Sequence, residues 1–162
     1  MGGPSAALVL NDLAKLDVRR VVRVGTCVGV GGRSELGELL LPDRAVAASG
    51  SASSFGLQPG AMIEPDTELL NRLRGHQEGR EVVVTSLDTM AASDEISTEA
   101  VAADMQTVAV LARGHELDIA TAAILIVNEA GDERLDDEEL EAAAKLAGRM
   151  AAKGLSNPQP ES

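Results

Sequence analysis

Aromatic side chains are almost missing: the 162 residues hold no Trp, no Tyr and a single Phe, Phe55. The core therefore has to be built from Val, Leu, Ile, Ala and Met. Cysteine is nearly absent too. Cys27 has no second cysteine to pair with, which excludes an internal disulfide and is compatible with a reducing cytoplasm. Basic residues are scarce, 14 against 26 acidic ones, for a net charge of -12. That balance argues against a nucleic-acid partner, which would call for basic patches. It leaves room for a phosphate ligand, because one arginine can define a local anion site. No apolar run reaches the ~18 residues of a membrane span. The start shows neither the basic region nor the apolar core of a signal peptide, so a cytoplasmic location without membrane attachment is expected.

What is present fits a globular chain, with a hydrophobic share of 44%. The length suggests one domain, large enough to bury about two-thirds of its unfolded surface. The pattern predicts a helix over 5–16, opened by Pro4, and a strand over 19–25 closed by Gly25. A second strand over 38–49 is interrupted by Pro42, which suggests an edge or a bend. A Gly/Ser loop around Phe55 follows, then a helix over 66–74 stopped by Gly75. A buried-type strand covers 81–86 and a helix covers 99–113, ended by Gly114. The most apolar strand spans 118–127. A last helix over 136–153 opens with Asp136 and Glu139 at capping-box spacing. The domain is expected to span 1–155, with a flexible tail over 156–162. This order predicts an α/β fold: a three-layer αβα sandwich around a mostly parallel or mixed central sheet.

Arg20 to Gly32, RVVRVGTCVGVGG, is the stretch of greatest chemical interest. Arg23 supplies a planar fork suited to phosphate oxygens, and Thr26 adds a hydroxyl donor at a strand's carboxyl end. Gly25 lets a backbone approach a ligand without a Cβ in the way. A strand-to-loop junction carrying a surface arginine would look the same. Other candidates are weaker. His76 and His115 have no partner at ligand spacing, so no metal site is expected. The carboxylates from Asp132 to Glu139 lack the spacing of a calcium loop and read as a charged helix start.

Gly2-Gly3-Pro4-Ser5, the helix behind it, and Arg23-Val24-Gly25-Thr26 together resemble the nucleoside phosphorylase family, which contains purine nucleoside phosphorylase and uridine phosphorylase. Ser86-Leu87-Asp88-Thr89-Met90, Asp104-Met105-Gln106-Thr107 and Ile126-Val127-Asn128-Glu129 are similar to later family segments. The resemblance implies the same α/β fold, assembled into homo-oligomers such as dimers or trimers of dimers. It implies phosphate-dependent cleavage of a nucleoside's N-glycosidic bond, with no cofactor and with inorganic phosphate as co-substrate. Arg23, Gly25 and Thr26 would then hold phosphate. Met105 would pack under the ribose and Gln106 would contact its hydroxyls. Cys27, Val28, Met90, Asn128 and Glu129 would surround the base, with Arg23 and Glu129 as the catalytic groups.

Several departures from the family pattern matter. Gln106 stands where the family places Glu, and an amide accepts hydrogen bonds without the strengthening negative charge. Val28 replaces a glycine and narrows the slot for the base. Met90 replaces a flat ring with a soft chain. Glu129 leans toward a purine leaving group, although a solvated loop acid before Gly131 is an equal reading. Family members carry strands ahead of the Gly-x-Pro-Ser stretch, with further phosphate ligands and residues lent to a neighbouring subunit. Met1 falls inside that motif, so a shortened relative or a start placed too late is expected. Such a chain would have little or no phosphorolytic activity. The alternatives are a degenerate member that binds nucleoside or assembles with partners without catalysis, and a hydrolase that uses water.

Overall fold

The computed structural model describes residues 2–75, 79–89 and 93–156. Helix α1 (Gly3–Lys15) carries Pro4 in its first turn, where a missing N–H costs nothing. Strand β1 (Arg20–Gly29) and strand β2 (Leu39–Ala47) follow, then helix α2 (Ser49–Ser54) and a two-residue strand β3 (Met62–Ile63). Helix α3 (Thr67–Arg74) is capped by Asp66, which accepts from the Leu69 N–H, and ends at Gly75 as its sequence predicts. Strands β4 (Gly79–Ser86) and β5 (Ala102–Asp104), helix α4 (Thr107–Leu117), strands β6 (Ala120–Ala130) and β7 (Glu133–Arg134), and helix α5 (Asp137–Leu155) complete the chain. At α5 both halves of the Asp136/Glu139 capping box form.

The seven strands lie in the order β3-β2-β4-β5-β1-β6-β7, and a further antiparallel pairing joins β2 to β6 at Leu39–Ile126 and Leu40–Leu125. That extra pairing makes the sheet return on itself, so β2, β4, β5, β1 and β6 form a ring. Pairing is parallel for β1–β6, β2–β4 and β4–β5, and antiparallel elsewhere, so the sheet is mixed. Alternation along the strands divides the core. Leu40, Leu125 and Val127 join Val108 and Leu111 of α4 in one cluster. Leu39, Leu41, Ile124 and Ile126 join Leu69 and Leu73 of α3 and Met150 of α5 in another.

Three sequence expectations are corrected. Gly25 does not close β1, which runs on to Gly29 because its parallel pairing with β6 continues past that point. Pro42 does not mark an edge: β2 has β4 on one side and β3 and β6 on the other. The other expectation there, a bend, agrees with the register shift between Pro42 and Arg44 that accommodates the ring. The helix read over 99–113 is two elements. Ala102, Ala103 and Asp104 are buried in the sheet as β5, and α4 starts only at Thr107. The apolar run there satisfies either pattern, and burial between β4 and β1 decides it. The loop around Phe55 also holds one short helix, α2. The tail over 157–162 lies outside the described residues.

Gly114 does not end α4 either; it lies within the helix, and its place is set by packing. A Cβ there would stand 2.4 Å from Thr121 Cγ2 and 3.0 Å from the Ile119 carbonyl oxygen. Gly114→Ala gains about 1 kcal/mol of helix propensity but overpacks the α4–β6 contact. A net loss of about 1–2 kcal/mol is expected in denaturant unfolding. An unchanged or raised midpoint would show that this contact is slack.

Candidate active site

The cleft forms where two neighbouring strands part. β1 and β5 pair only at Val28–Ala103 and Gly29–Ala102. Before those residues β1 diverges from the β5–α4 junction and leaves a cavity of about 590 Å³ between them. Its walls are Arg23 and Gly25 to Val28 of β1, Ala103 to Gln106, and Asn128, Glu129 and Arg134 from the β6–β7 hairpin. A space of this size is in the range of small-molecule sites. The structure thus brings together Arg23, Gly25, Thr26, Cys27, Val28, Met105, Gln106, Asn128 and Glu129, which are far apart in sequence. Met90 lies outside the described residues.

The most buried ion pair among the described residues lies in the cleft. Arg23 Nη1 stands 3.0 Å from Asp104 Oδ2, with the side chains 11% and 0% exposed. The guanidinium also donates from Nε to Gln106 Oε1 at 3.2 Å and from Nη1 to Thr107 Oγ1 at 3.4 Å. Gly25 explains how it fits. A Cβ at that position would fall 2.6 Å from Arg23 Cζ and Nη2, so the guanidinium lies over the glycine. Gly25 is required by the side chain two residues before it on the same strand face.

Asp104 is more heavily used than any other carboxylate in the cleft. Its Oδ1 accepts from the Ser86 hydroxyl at 2.6 Å. Its Oδ2 accepts from the Thr107 hydroxyl at 2.8 Å, the Thr107 N–H at 3.0 Å and the Gln106 N–H at 3.3 Å. The Thr107 and Gln106 amides sit at the start of α4, where N–H groups lack helical partners and the dipole favours an anion. Ser86 accepts in turn from the Val108 N–H at 2.9 Å, tying β4 to the same helix end. Sequence reasoning gave Asp104, Ser86 and Thr107 no role. The spacing of Asp104 and Thr107 ahead of an apolar run was a usable cap signal.

At the other end, β6 skips a residue opposite β1: Cys27 faces Val127 and Val28 faces Glu129, so Asn128 is the bulged residue. Its side chain is buried, and its Oδ1 has no hydrogen-bond partner among the described residues. Glu129 Oε1 stands 3.5 Å from Arg134 Nε across the hairpin, with both side chains partly exposed at the rim. Arg134 was another omission; the Gly131-Asp132 turn, with Gly131 at φ 62°, was its signal. No group of three or more His, Cys, Asp or Glu able to hold a metal occurs among the described residues. His76 lies outside them.

The profile of the Phosphorylase superfamily matches residues 1–156, and the chain belongs to that superfamily. Similar solved structures include uridine phosphorylase from Vibrio fischeri ES114, with a TM-score of 0.81 at 21% identity over 96% of this chain and 70% of the other. The Campylobacter jejuni 5'-methylthioadenosine/S-adenosyl homocysteine nucleosidase gives a TM-score of 0.80 at 18% identity, over 95% and 76% of the two chains. AMP nucleosidase from Bacteroides thetaiotaomicron gives 0.73 at 19% identity, over 96% and 67%. At such identities the likeness is one of fold. No curated protein matches the chain by sequence.

Cys27 lines the cleft as an inert thiol. It is 4% exposed, its Sγ donates to the Ile126 carbonyl at 3.5 Å, and burial, then the nearby Asp104 charge, push its pKa up to about 12. A raised folded-state value means that this group's stabilising contribution is complete below the ordinary thiol value of 9.0 and is lost as pH rises toward 12. Iodoacetamide at pH 8 is therefore expected to modify Cys27 only as fast as the protein unfolds. Rapid stoichiometric labelling of the folded chain would contradict this environment.

Proposed function

We propose that the cleft binds a nucleoside and opens its N-glycosidic bond with phosphate as the attacking group. One observation carries this reading: three separate segments converge on one cavity, each bringing the chemistry that a different part of the substrate needs. Phosphate takes Arg23, Thr26 and the backbone at Gly25. Of the Arg23 nitrogens, Nη2 has no partner among the described residues, which leaves its donors for an oxyanion. Ribose lies over Met105 with its hydroxyls toward Gln106. The base lies against Cys27, Val28 and Asn128, with Glu129 at the leaving nitrogen, an arrangement that suits a purine better than a pyrimidine. Such a bond breaks through an oxocarbenium-like state, so positioning and charge carry the rate. No cofactor is required. The two core clusters on opposite sides of the sheet support the three-layer αβα description of a single domain. Exposed Leu8, Val9 and Leu16 of α1 and Val24 of β1 support assembly of like chains. No helix of the described residues is long and apolar enough to cross a membrane.

A second reading has water in place of phosphate. It is favoured by the Asp104 carboxylate, which already balances the Arg23 charge and weakens its pull on a second anion.

The two readings separate on product. Purified protein is incubated with inosine, adenosine or uridine, with and without phosphate, and free base and sugar are measured. Phosphorolysis yields base and ribose 1-phosphate only when phosphate is present. Turnover below ~1 per second is expected, because Gln106 lacks the charge that strengthens ribose contacts. Equal base release without phosphate, with free ribose, would establish the water reading instead.

Gln106→Glu provides a sharper check, since Gln106 touches Arg23 as well as facing the cleft. A carboxylate there should lower KM for nucleoside about fivefold through stronger hydroxyl hydrogen bonds. It should raise KM for phosphate, because Arg23 then faces a second negative charge. Steady-state kinetics showing both constants moving together would remove Gln106 from between the two ligands.

A further inference from the structure

Resting on the reading that phosphate binds at Arg23, we propose that Asp104 is the positioning residue of the anion site: it fixes the Arg23 guanidinium so that Nη2 faces the phosphate position. Asp104 takes no part in the ligand contacts assigned above. Its own position is fully determined, since Ser86 holds one oxygen while Thr107, Gln106 and Arg23 hold the other. A carboxylate tied from β4, β5 and α4 cannot rotate. It is a stationary charge at the wall of the cleft, and its side chain is wholly buried.

Against that fixed charge the guanidinium has one low-energy orientation. Nη1 faces Asp104 and Thr107, Nε faces Gln106, and the guanidinium, Nη2 included, lies over Gly25. A free arginine would have to be ordered by its ligand, and the entropy of doing so weakens binding. Here the ordering is done in advance, as a supporting carboxylate does for a metal-binding histidine. The carboxylate also lets a guanidinium remain charged while nearly buried. Asp104 makes its contact at Nη1, and no hydrogen bond to Nη2 occurs among the described residues, so it can orient Arg23 while leaving the Nη2 donors unused.

The test is a double-mutant cycle on phosphate affinity, measured by titration calorimetry for the wild type, Arg23→Ala, Asp104→Asn and the double variant. Asp104→Asn keeps the shape and removes the charge. It should weaken phosphate binding about tenfold or more, the lost ordering of Arg23 outweighing the relief of the Asp104 charge, and the double variant should bind no more weakly than Arg23→Ala, because the ordering acts only through Arg23. Wild-type or tighter affinity in Asp104→Asn would overturn the proposal. So would a double variant weakened by the product of the two single effects. If Asp104→Asn fails to fold, Ser86→Ala removes one donor to Asp104 and leaves Arg23 and Thr26 in place. It should weaken phosphate several-fold, and unchanged affinity would again overturn the proposal. A wild type that binds nucleoside but no phosphate would defeat the phosphate reading itself, and this inference with it. That outcome is distinct from a wild type that binds phosphate as tightly as Asp104→Asn does.

Discussion

The contact between Arg23 and Asp104 is the constraint on which the cleft depends. A carboxylate this deeply buried beside a guanidinium needs its lone pairs met by donors. Ser86, Gln106 and Thr107 meet those of Asp104, so β4, β5 and the start of α4 are locked to one another through a single carboxylate. Removing one partner of such a pair costs about 3–5 kcal/mol, a large part of a small domain's stability. Gly25 belongs to the same constraint, because any side chain there would displace the guanidinium.

The fold supplies the opening in which that pair sits. The ring of strands closes through the β2–β6 pairing, while β1 and β5 touch only at their last residues. The gap between them is the cavity, walled by β-structure and by the N-terminal end of α4. The Asn128 bulge turns the end of β6 toward it, and the β6–β7 hairpin sets Glu129 and Arg134 on the rim. Charges in the cleft come in opposed pairs, Arg23 with Asp104 and Arg134 with Glu129. The site is therefore nearly neutral within a chain of net charge -12. Under the proposed reading, an anionic ligand would be recognised there by oriented donors, with little help from a surrounding positive field.

Much of the fold was legible in the sequence because local signals were strong. The Asp136/Glu139 capping box, the Asp66 and Gly75 ends of α3 and the apolar run of β6 all mark elements that exist. The residues lining the cleft were legible through their motifs, and Arg23, Thr26, Met105, Gln106, Asn128 and Glu129 do share one cavity. Legibility ended where tertiary pairing decides. Ala102 to Asp104 read as helix, and only the neighbours β4 and β1 make them a strand. Asp104 was passed over because its importance is a matter of what surrounds it: Ser86 and Arg23 are far away in sequence. The glycines misled in a consistent way. Gly25 and Gly114 looked like stops, yet each is placed inside an element to admit a neighbouring side chain.

The central claim is that Arg23 is held by Asp104 in a conformation ready to receive phosphate. The most direct measurement is the nitrogen-detected NMR spectrum of the Arg23 guanidinium during a phosphate titration, assigned by comparison with Arg23→Ala. Restricted rotation should give separate Nη1 and Nη2 signals before any ligand is added. Phosphate should then shift Nη2 while leaving Nη1 close to its starting position. Averaged Nη signals in the free protein, or a phosphate-induced shift that bypasses Arg23, would contradict the account.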